Sequence, residues 1–305
     1  MFIIFLLFFS SFLCATETSK SKIIGLIPIR NEEIMIEQCL RGLSMLVDEI
    51  IILDDASTDN SVSIIESLAK ECKVTEIIRK KEWYRDEPGD RNALLNAGRT
   101  HGGTHFVVID ADEMFTANCL DNNFLRNAIL VLQPGDILIM NWIQLWKSVD
   151  YYRFDDSVWT YNYKPFIFCD NPNAYYSSEF LHTPRIPYNL RGKYYQIGGY
   201  TYGLMHFQFV NFDNVIMKHC WYRCLERIRT KKSGQEINAI YDWFKPQNVH
   251  LEPSPRQWFD NYSFFDPSIF TREEKWRKAQ IKEWLAQYGA DFFKDIDIWF
   301  IDWSK

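Results

Sequence analysis

The sequence predicts an α/β protein with a mostly parallel central sheet, and three observations predict it. Short apolar runs at residues 23–29, 49–53, 74–78 and 105–109 recur through the first half of the chain. Segments with apolar residues at helical spacing separate them, so strand and helix alternate. Three runs end in polar clusters, and parallel strands would bring those clusters to one edge of the sheet. A chain of 305 residues suits one large domain, or a core domain with an appendage.

Residues 23–29 are almost wholly apolar, the mark of a strand covered on both faces, with Pro28 breaking the run. Asn31 is placed to cap a helix opened by Glu32 and Glu33, whose charges suit a helix N-terminus. Ile36, Leu40, Leu43 and Leu46 then recur at helical spacing. Residues 49–53 form the second strand, which ends in Asp54-Asp55. Ser57, Thr58 and Asp59 offer caps for the next helix, through Ile64, Ile65, Leu68 and Ala69. Residues 74–78 are a third strand, 83–89 a loop, and 90–99 a helix stopped by Gly102-Gly103. The fourth strand, 105–109, delivers Asp110-Ala111-Asp112-Glu113.

A helix over about 122–132 ends at Pro134-Gly135. Residues 136–146, 159–169 and 194–209 are rich in β-branched and aromatic side chains and read as strands. Residues 211–229, 234–244 and 272–288 read as helices. The pattern divides the chain at 1–20, 21–135, 136–210 and 211–305, the last a helical C-terminal appendage.

The net charge of -6 argues against a general nucleic-acid binder. Seven scattered cysteines without a CxxC pair suggest neither a disulfide framework nor a zinc site. Aromatic residues make up 16% of the chain, and core packing accounts for most of them. Trp276 and Trp284 stand at helical spacing, and with Trp299 and Trp303 they are expected to pack on the core.

Residues 1–15 are apolar, short for a membrane span and right for a signal-peptide apolar region, with Ala15 a candidate cleavage point. Lys20 and Lys22 follow the run and none precedes it, which favours a short anchor with the chain in the cytoplasm. A cleaved secretory signal, an uncleaved anchor and a misplaced start codon all stay open.

The polar clusters are Pro28-Ile29-Arg30-Asn31-Glu32, Asp54-Asp55 and Asp110-Ala111-Asp112. An Asp after a strand often does no more than cap the next helix. Two acids at i and i+2 after Phe106-Val107-Val108-Ile109 repel each other, and a divalent cation removes that repulsion. Mg2+ or Mn2+ favours such carboxylates together with substrate phosphate oxygens.

The segment 23–115 resembles the family 2 glycosyltransferases of the GT-A fold. Pro28 through Glu32 resembles the first-strand signature. Ile51-Ile52-Leu53-Asp54-Asp55-Ala56-Ser57-Thr58-Asp59-Asn60-Ser61 resembles the second, with Ala56 where Gly is commoner. Arg91-Asn92 resembles the Arg-Asn pair before the metal motif, and Val108 through Glu113 resembles the Asp-x-Asp motif itself. Four matched segments in order over about 90 residues form a specific pattern.

The resemblance implies a GT-A-like nucleotide-binding sandwich and transfer of a sugar from a nucleotide-diphosphate donor, usually UDP-linked. It implies that Pro28, Arg30, Asn31, Glu32, Asp54 and Asp55 hold the nucleotide, with Arg91 near the diphosphate or base. Asp110 would meet ribose or metal, Asp112 would bind Mn2+ or Mg2+, and His206 resembles a late metal-ligating histidine, with His182 a second candidate. Lys218 and Arg223 either reach the diphosphate or are solvated. Such enzymes mostly invert, which calls for a carboxylate base. Glu179 is preferred for its neighbours His182 and Arg185, with Asp170 and Asp155-Asp156 as alternatives.

The acceptor, a saccharide, lipid or protein, is expected on the side of Trp142, Trp146, Trp159, Tyr175 and Tyr176. Nucleotide sugars occur in the cytoplasm or the eukaryotic secretory lumen, so a membrane-associated site facing a donor-containing compartment is expected, with secretion left open. A haloacid-dehalogenase-like phosphatase would want Thr where Met114 stands. A nucleotidyltransferase or dinucleotide oxidoreductase would want a Gly-rich loop after the first strand. A catalytically inactive carbohydrate- or nucleotide-binding relative remains the non-enzyme alternative.

Overall fold

The structure, a computed structural model, describes residues 21–157, 159–160, 162–177, 183–242 and 249–303. The apolar N-terminal stretch, Glu179 and His182 lie outside the described residues. In chain order the elements are β1 (Ile23–Ile29), α1 (Ile36–Ser44), β2 (Glu49–Asp54), α2 (Ser61–Leu68), β3 (Val74–Arg79), α3 (Glu87–Thr100), β4 (His105–Val108) and β5 (Glu113–Phe115). They continue with α4 (Phe124–Leu130), β6 (Ile137–Gln144), β7 (Tyr151–Arg153), β8 (Tyr163–Cys169), β9 (Tyr194–Ile197), β10 (Gly203–His206) and α5 (Phe212–Arg229). The last are α6 (Gly234–Tyr241), β11 (Leu251–Pro253) and α7 (Lys275–Tyr288).

Among the described residues a nine-stranded sheet runs β3-β2-β1-β4-β8-β6-β10-β5, with β9 also on β6. Strands β1 to β4 pair in parallel, as do β6, β9 and β10. Only β8 and β5 run against their neighbours, so the sheet is mostly parallel. A small sheet of β7 and β11 stands apart.

The period-two alternation of β1 explains why it is covered on both faces. Ile23, Ile27 and Ile29 join Leu40 and Leu43 of α1 in one core cluster. Ile24 and Leu26 join Leu94 and Leu95 of α3 in the other. Gly25 lets α1 approach closely, because a Cβ there would lie 2.6 Å from Leu43 Cδ2. The registers Ile29↔Asp54 and Leu26↔Val108 bring the ends of β1, β2 and β4 to one edge.

Several boundaries differ from expectation. Asn31 does not cap a helix: its backbone is left-handed at φ 54°, a conformation Asn tolerates, and α1 begins only at Ile36. Helix α3 starts three residues early because Asp86 accepts a hydrogen bond from Gly89 N. The expected strand over 194–209 is two strands, divided where Gly199 takes φ 80°. Strands β5, β7 and β11 were not foreseen, since three residues show no period.

The C-terminal helices bury a separate apolar cluster that includes Cys220, Trp221, Leu225, Ile237, Ile281 and Phe293. Asn211 caps α5 by accepting from Asp213 N and Asn214 N. Trp276 and Trp284 meet Trp221 at 5.5 and 5.8 Å between ring centroids. Trp299 departs from expectation and is 43% exposed. No helix among the described residues is long and apolar enough to cross a membrane.

His219 on α5 is 3% exposed. Burial, with Arg223, Lys218 and Arg277 nearby, pushes its imidazole down to about 3. Between that value and the ordinary histidine range the unfolded chain takes a proton that the folded protein refuses. Stability therefore falls on acidification through this window, by roughly 1.4 kcal/mol per pH unit. We expect His219→Gln to flatten the acid-side decline of the urea midpoint, measured from pH 7 downward. A decline unchanged in the variant would place the acid sensitivity elsewhere.

Candidate functional site

The loop after β1 and the loop after β2 are stitched together. Asn31 N donates to Ser57 Oγ at 2.9 Å, and Asn31 Oδ1 accepts from Thr58 N at 2.7 Å. Glu32 N donates to Ser61 Oγ at 2.7 Å. Arg30 Nη1 donates to the carbonyls of Asp55 and Ala56 at 2.8 and 3.3 Å. Its guanidinium lies 4.5 Å from the Trp83 ring and 5.6 Å from Trp276. Ala56 is left-handed at φ 55°, which accounts physically for a position where Gly is easier.

The two Asp residues of this loop are used differently. Asp54 is 4% exposed and accepts from Ser57 N at 2.9 Å, so its carboxylate shapes the turn. Asp55 meets Lys80 Nζ at 2.7 Å, and Lys80 in turn meets Asp90 at 3.1 Å. Pro28 lies inside β1, level with Leu53, and contributes backbone shape.

The acidic edge follows β4. Asp110 Oδ2 accepts from Arg185 Nη2 at 2.7 Å, and Arg91 Nη2 stands 3.8 Å from its other oxygen. Glu113 is fully buried; it pairs with Arg185 and accepts from Trp142 Nε1 and Asp110 N at 2.7 and 2.9 Å. Burial pushes the Glu113 carboxyl up, against the pull of Arg185. Burial also works against the charge of Arg185, but Asp110 and Glu113 outweigh it and hold the guanidinium protonated.

Asp112 faces His206 Nε2 at 3.3 Å. Burial opposes its charge, yet His206, Lys218 and Arg185 hold the carboxyl well below the usual range. His206 Nδ1 lies 2.7 Å from Gln144 Oε1, an acceptor, so that nitrogen carries the proton and Nε2 is turned to Asp112. A cavity of about 80 Å³ is lined by Glu32, Asp112, Lys218 and Arg277, among others. Burial and the charge of Asp112 push Glu32 up to about 8.

The structure thus brings Glu32, Arg91, Asp110, Asp112 and His206 to one edge. Asp170 does not join them. It follows Cys169, which pairs with His105 at the start of β4, five residues and roughly 17 Å of extended chain from Asp110. There Arg99 Nε and Nη2 hold its carboxylate at 2.8 and 2.9 Å. Asp155, the other described base candidate, pairs with Arg153 at 2.6 Å; with Asp156 and His250 it lines a cleft of about 840 Å³. Arg223 is neither solvated nor at the edge: it is 1% exposed and meets Asp242 at 3.0 Å. Sequence reasoning missed Arg185 and Arg277 as members of the site, and gave Glu113 no role. Glu113 alone carried a signal, as the residue completing the acidic motif.

Among the described residues no group of three His, Cys, Asp or Glu side chains stands ready to hold a metal ion. Asp110 is taken by Arg185. Asp112 and His206, with Nδ1 fixed and Nε2 facing the carboxylate, fit as a two-donor set that ligand oxygens would complete.

Residues 26–122, just under a third of the chain, match the family model described as Glycosyl transferase family 2. The matched segment holds β1 to β5, part of the mostly parallel α/β sheet. Among solved structures the chain is similar to TarS of S. aureus, at 15% identity and a TM-score of 0.43 over 90% of this chain and 49% of that one. The chain therefore spans about half the length of that protein. TarS 1-349 with UDP-GlcNAc gives 16% identity, 90% and 82% coverage and a TM-score of 0.37. The mannosyltransferase PcManGT from Pyrobaculum calidifontis, solved with GDP-Man and Mn2+, gives 22%, 42%, 37% and 0.32 in the same order. No curated protein matches the sequence.

With Asp170 structural, Asp170→Ala should cost about 1.5–3 kcal/mol of stability, because Arg99 loses its carboxylate and keeps only the Asn171 and Ala174 carbonyls. Nucleotide binding by the variant should be unchanged in titration calorimetry. A variant of unaltered stability that loses ligand binding would return Asp170 to the site.

Proposed function

We propose that this chain is a metal-dependent glycosyltransferase that moves a sugar from a nucleotide-diphosphate donor to an acceptor hydroxyl with inversion. A UDP-linked sugar is the donor we favour. The observation that carries the reading is the acidic edge itself: Asp110 and Asp112 follow β4 within the matched region, with Arg91 and Arg185 on Asp110 and His206 of β10 on Asp112.

In this reading Arg30, Asn31 and the Asp54-Asp55 turn form the wall for the base and ribose. Asp54 acts by shaping that turn. Arg91 takes the diphosphate or the base, and Asp110 faces the ribose. Asp112 and His206 would hold Mn2+ or Mg2+, which supplies compensation for charge growing on the leaving diphosphate. Lys218 and Arg277, which share a cavity with Asp112, add fixed positive charge on the same side. Glu179 takes the acceptor proton. The acceptor is a saccharide, lipid or protein hydroxyl, bound on the side of the β6–β10 strands. The apolar N-terminus would keep the enzyme at a membrane, with the site facing a compartment that contains donor.

A second reading, a sugar- or nucleotide-binding protein without transfer activity, draws on the arginine pairing that removes Asp170 from the site. Titration calorimetry of UDP with and without Mn2+, on the wild type and Asp112→Ala, tests the first reading. We expect Mn2+-dependent binding that falls at least tenfold in the variant. Slow Mn2+-dependent release of sugar from a UDP-sugar would then favour the enzyme over the binding protein. Absence of binding to UDP, GDP and other nucleotides under both conditions would sink the transferase reading.

A further inference from the structure

Strand β5 is only three residues long, yet it sets the level of the whole site. It pairs antiparallel with β10 so that Glu113 stands directly opposite His206. On its other side His206 is level with Gln144 of β6. Directly paired residues present their side chains to the same face, and Trp142, two residues before Gln144, shares it. Glu113, His206, Gln144 and Trp142 are therefore one row and its neighbour across three strands.

The contacts within that row are specific. Trp142 Nε1 donates to Glu113 Oε1 at 2.7 Å, and the Trp142 ring stacks on His206 at 4.6 Å and 25°. Gln144 fixes His206 Nδ1 from the other strand. The second Glu113 oxygen accepts from Asp110 N, holding the turn that carries Asp110 and Asp112. Arg185 reaches both Glu113 oxygens while its Nη2 also donates to Asp110. A guanidinium engaged in this way is kept on Asp110 and Glu113 and off the neighbouring carboxylate, Asp112.

We propose that Glu113 is the positioning residue of the site. It orients His206 through the Trp142 indole and retains Arg185, so that the Asp112–His206 pair is left for a divalent cation. This rests on the metal-dependent reading above, and it gives Glu113 no contact with the substrate. A partner behind a metal-ligating histidine typically changes metal affinity 10–100-fold when removed.

The test uses the full chain. Mn2+ binding in the presence of UDP is followed by electron paramagnetic resonance on the wild type, Glu113→Gln and Trp142→Phe. The His206 ring nitrogens are followed by 15N NMR at one fixed pH. Glu113→Gln should weaken Mn2+ binding about tenfold or more and move His206 away from a single Nδ1-protonated tautomer. Trp142→Phe keeps a ring against His206 but loses the indole donor, and should shift the His206 signals in the same direction. It also serves if Glu113→Gln does not fold. The inference is overturned if the variants bind Mn2+ as the wild type does and their His206 signals are unchanged. If the wild type itself binds no Mn2+, the metal-dependent reading fails, and the histidine spectra still decide whether Glu113 orients His206.

Discussion

A fully buried carboxylate facing a partly exposed guanidinium is the interaction on which the site depends. Taking Glu113 and Arg185 out of water is costly, and their mutual attraction repays that cost only where further hydrogen bonds satisfy both groups. Here they do: Trp142 Nε1 and Asp110 N complete Glu113, and Asp110 completes Arg185. The pair joins segments more than seventy residues apart in the chain. It therefore ties the turn between β4 and β5 to the irregular segment between β8 and β9. Removing Arg185 would leave the Glu113 carboxyl in the interior without its cation, whereas Arg185 without Glu113 would keep Asp110, so the arrangement specifies one geometry more than it adds stability.

The remaining contacts divide into those that shape loops and those that leave chemistry exposed. Asp54, Asn31, Ser57 and Ser61 spend their polar atoms on one another or on backbone amides. Their residue types are those of binding sites, but their geometry is that of a rigid wall. Asp112, His206 and Lys218 gather beside a small cavity, where charge remains available to a ligand. A preorganised electrostatic site needs both kinds of contact, since charges on mobile loops would reorganise at the moment of reaction.

Much of this was legible in the sequence because it follows from periodicity. The apolar runs of β1, β2 and β4, and the acids that end them, are local signals, and their registers could only bring the acids to one edge. What escaped is what is not local. Arg185 comes from an irregular segment and reaches the acids only through tertiary packing, with no spacing rule that could announce it. Asn31 was misjudged because a cap and a left-handed bridge to a neighbouring loop use the same residue type. Asp170 looked available because a carboxylate after a strand does not reveal which end of the sheet that strand has reached; β8 runs opposite to β4, so its end is the far edge.

The place of β5 in the sheet has a consequence for the growing chain. Its described pairing is with β10 alone, and β10 is made some ninety residues later. While the ribosome is still between those points, the parallel strands β1 to β4 can assemble, but the acidic turn has no second wall. Contacts so distant in sequence close late in folding, because loop entropy must be met before they form. An unfinished polypeptide thus carries the loops after β1, β2 and β4 without the histidine that faces Asp112, and the full edge arrives only with nearly the whole domain.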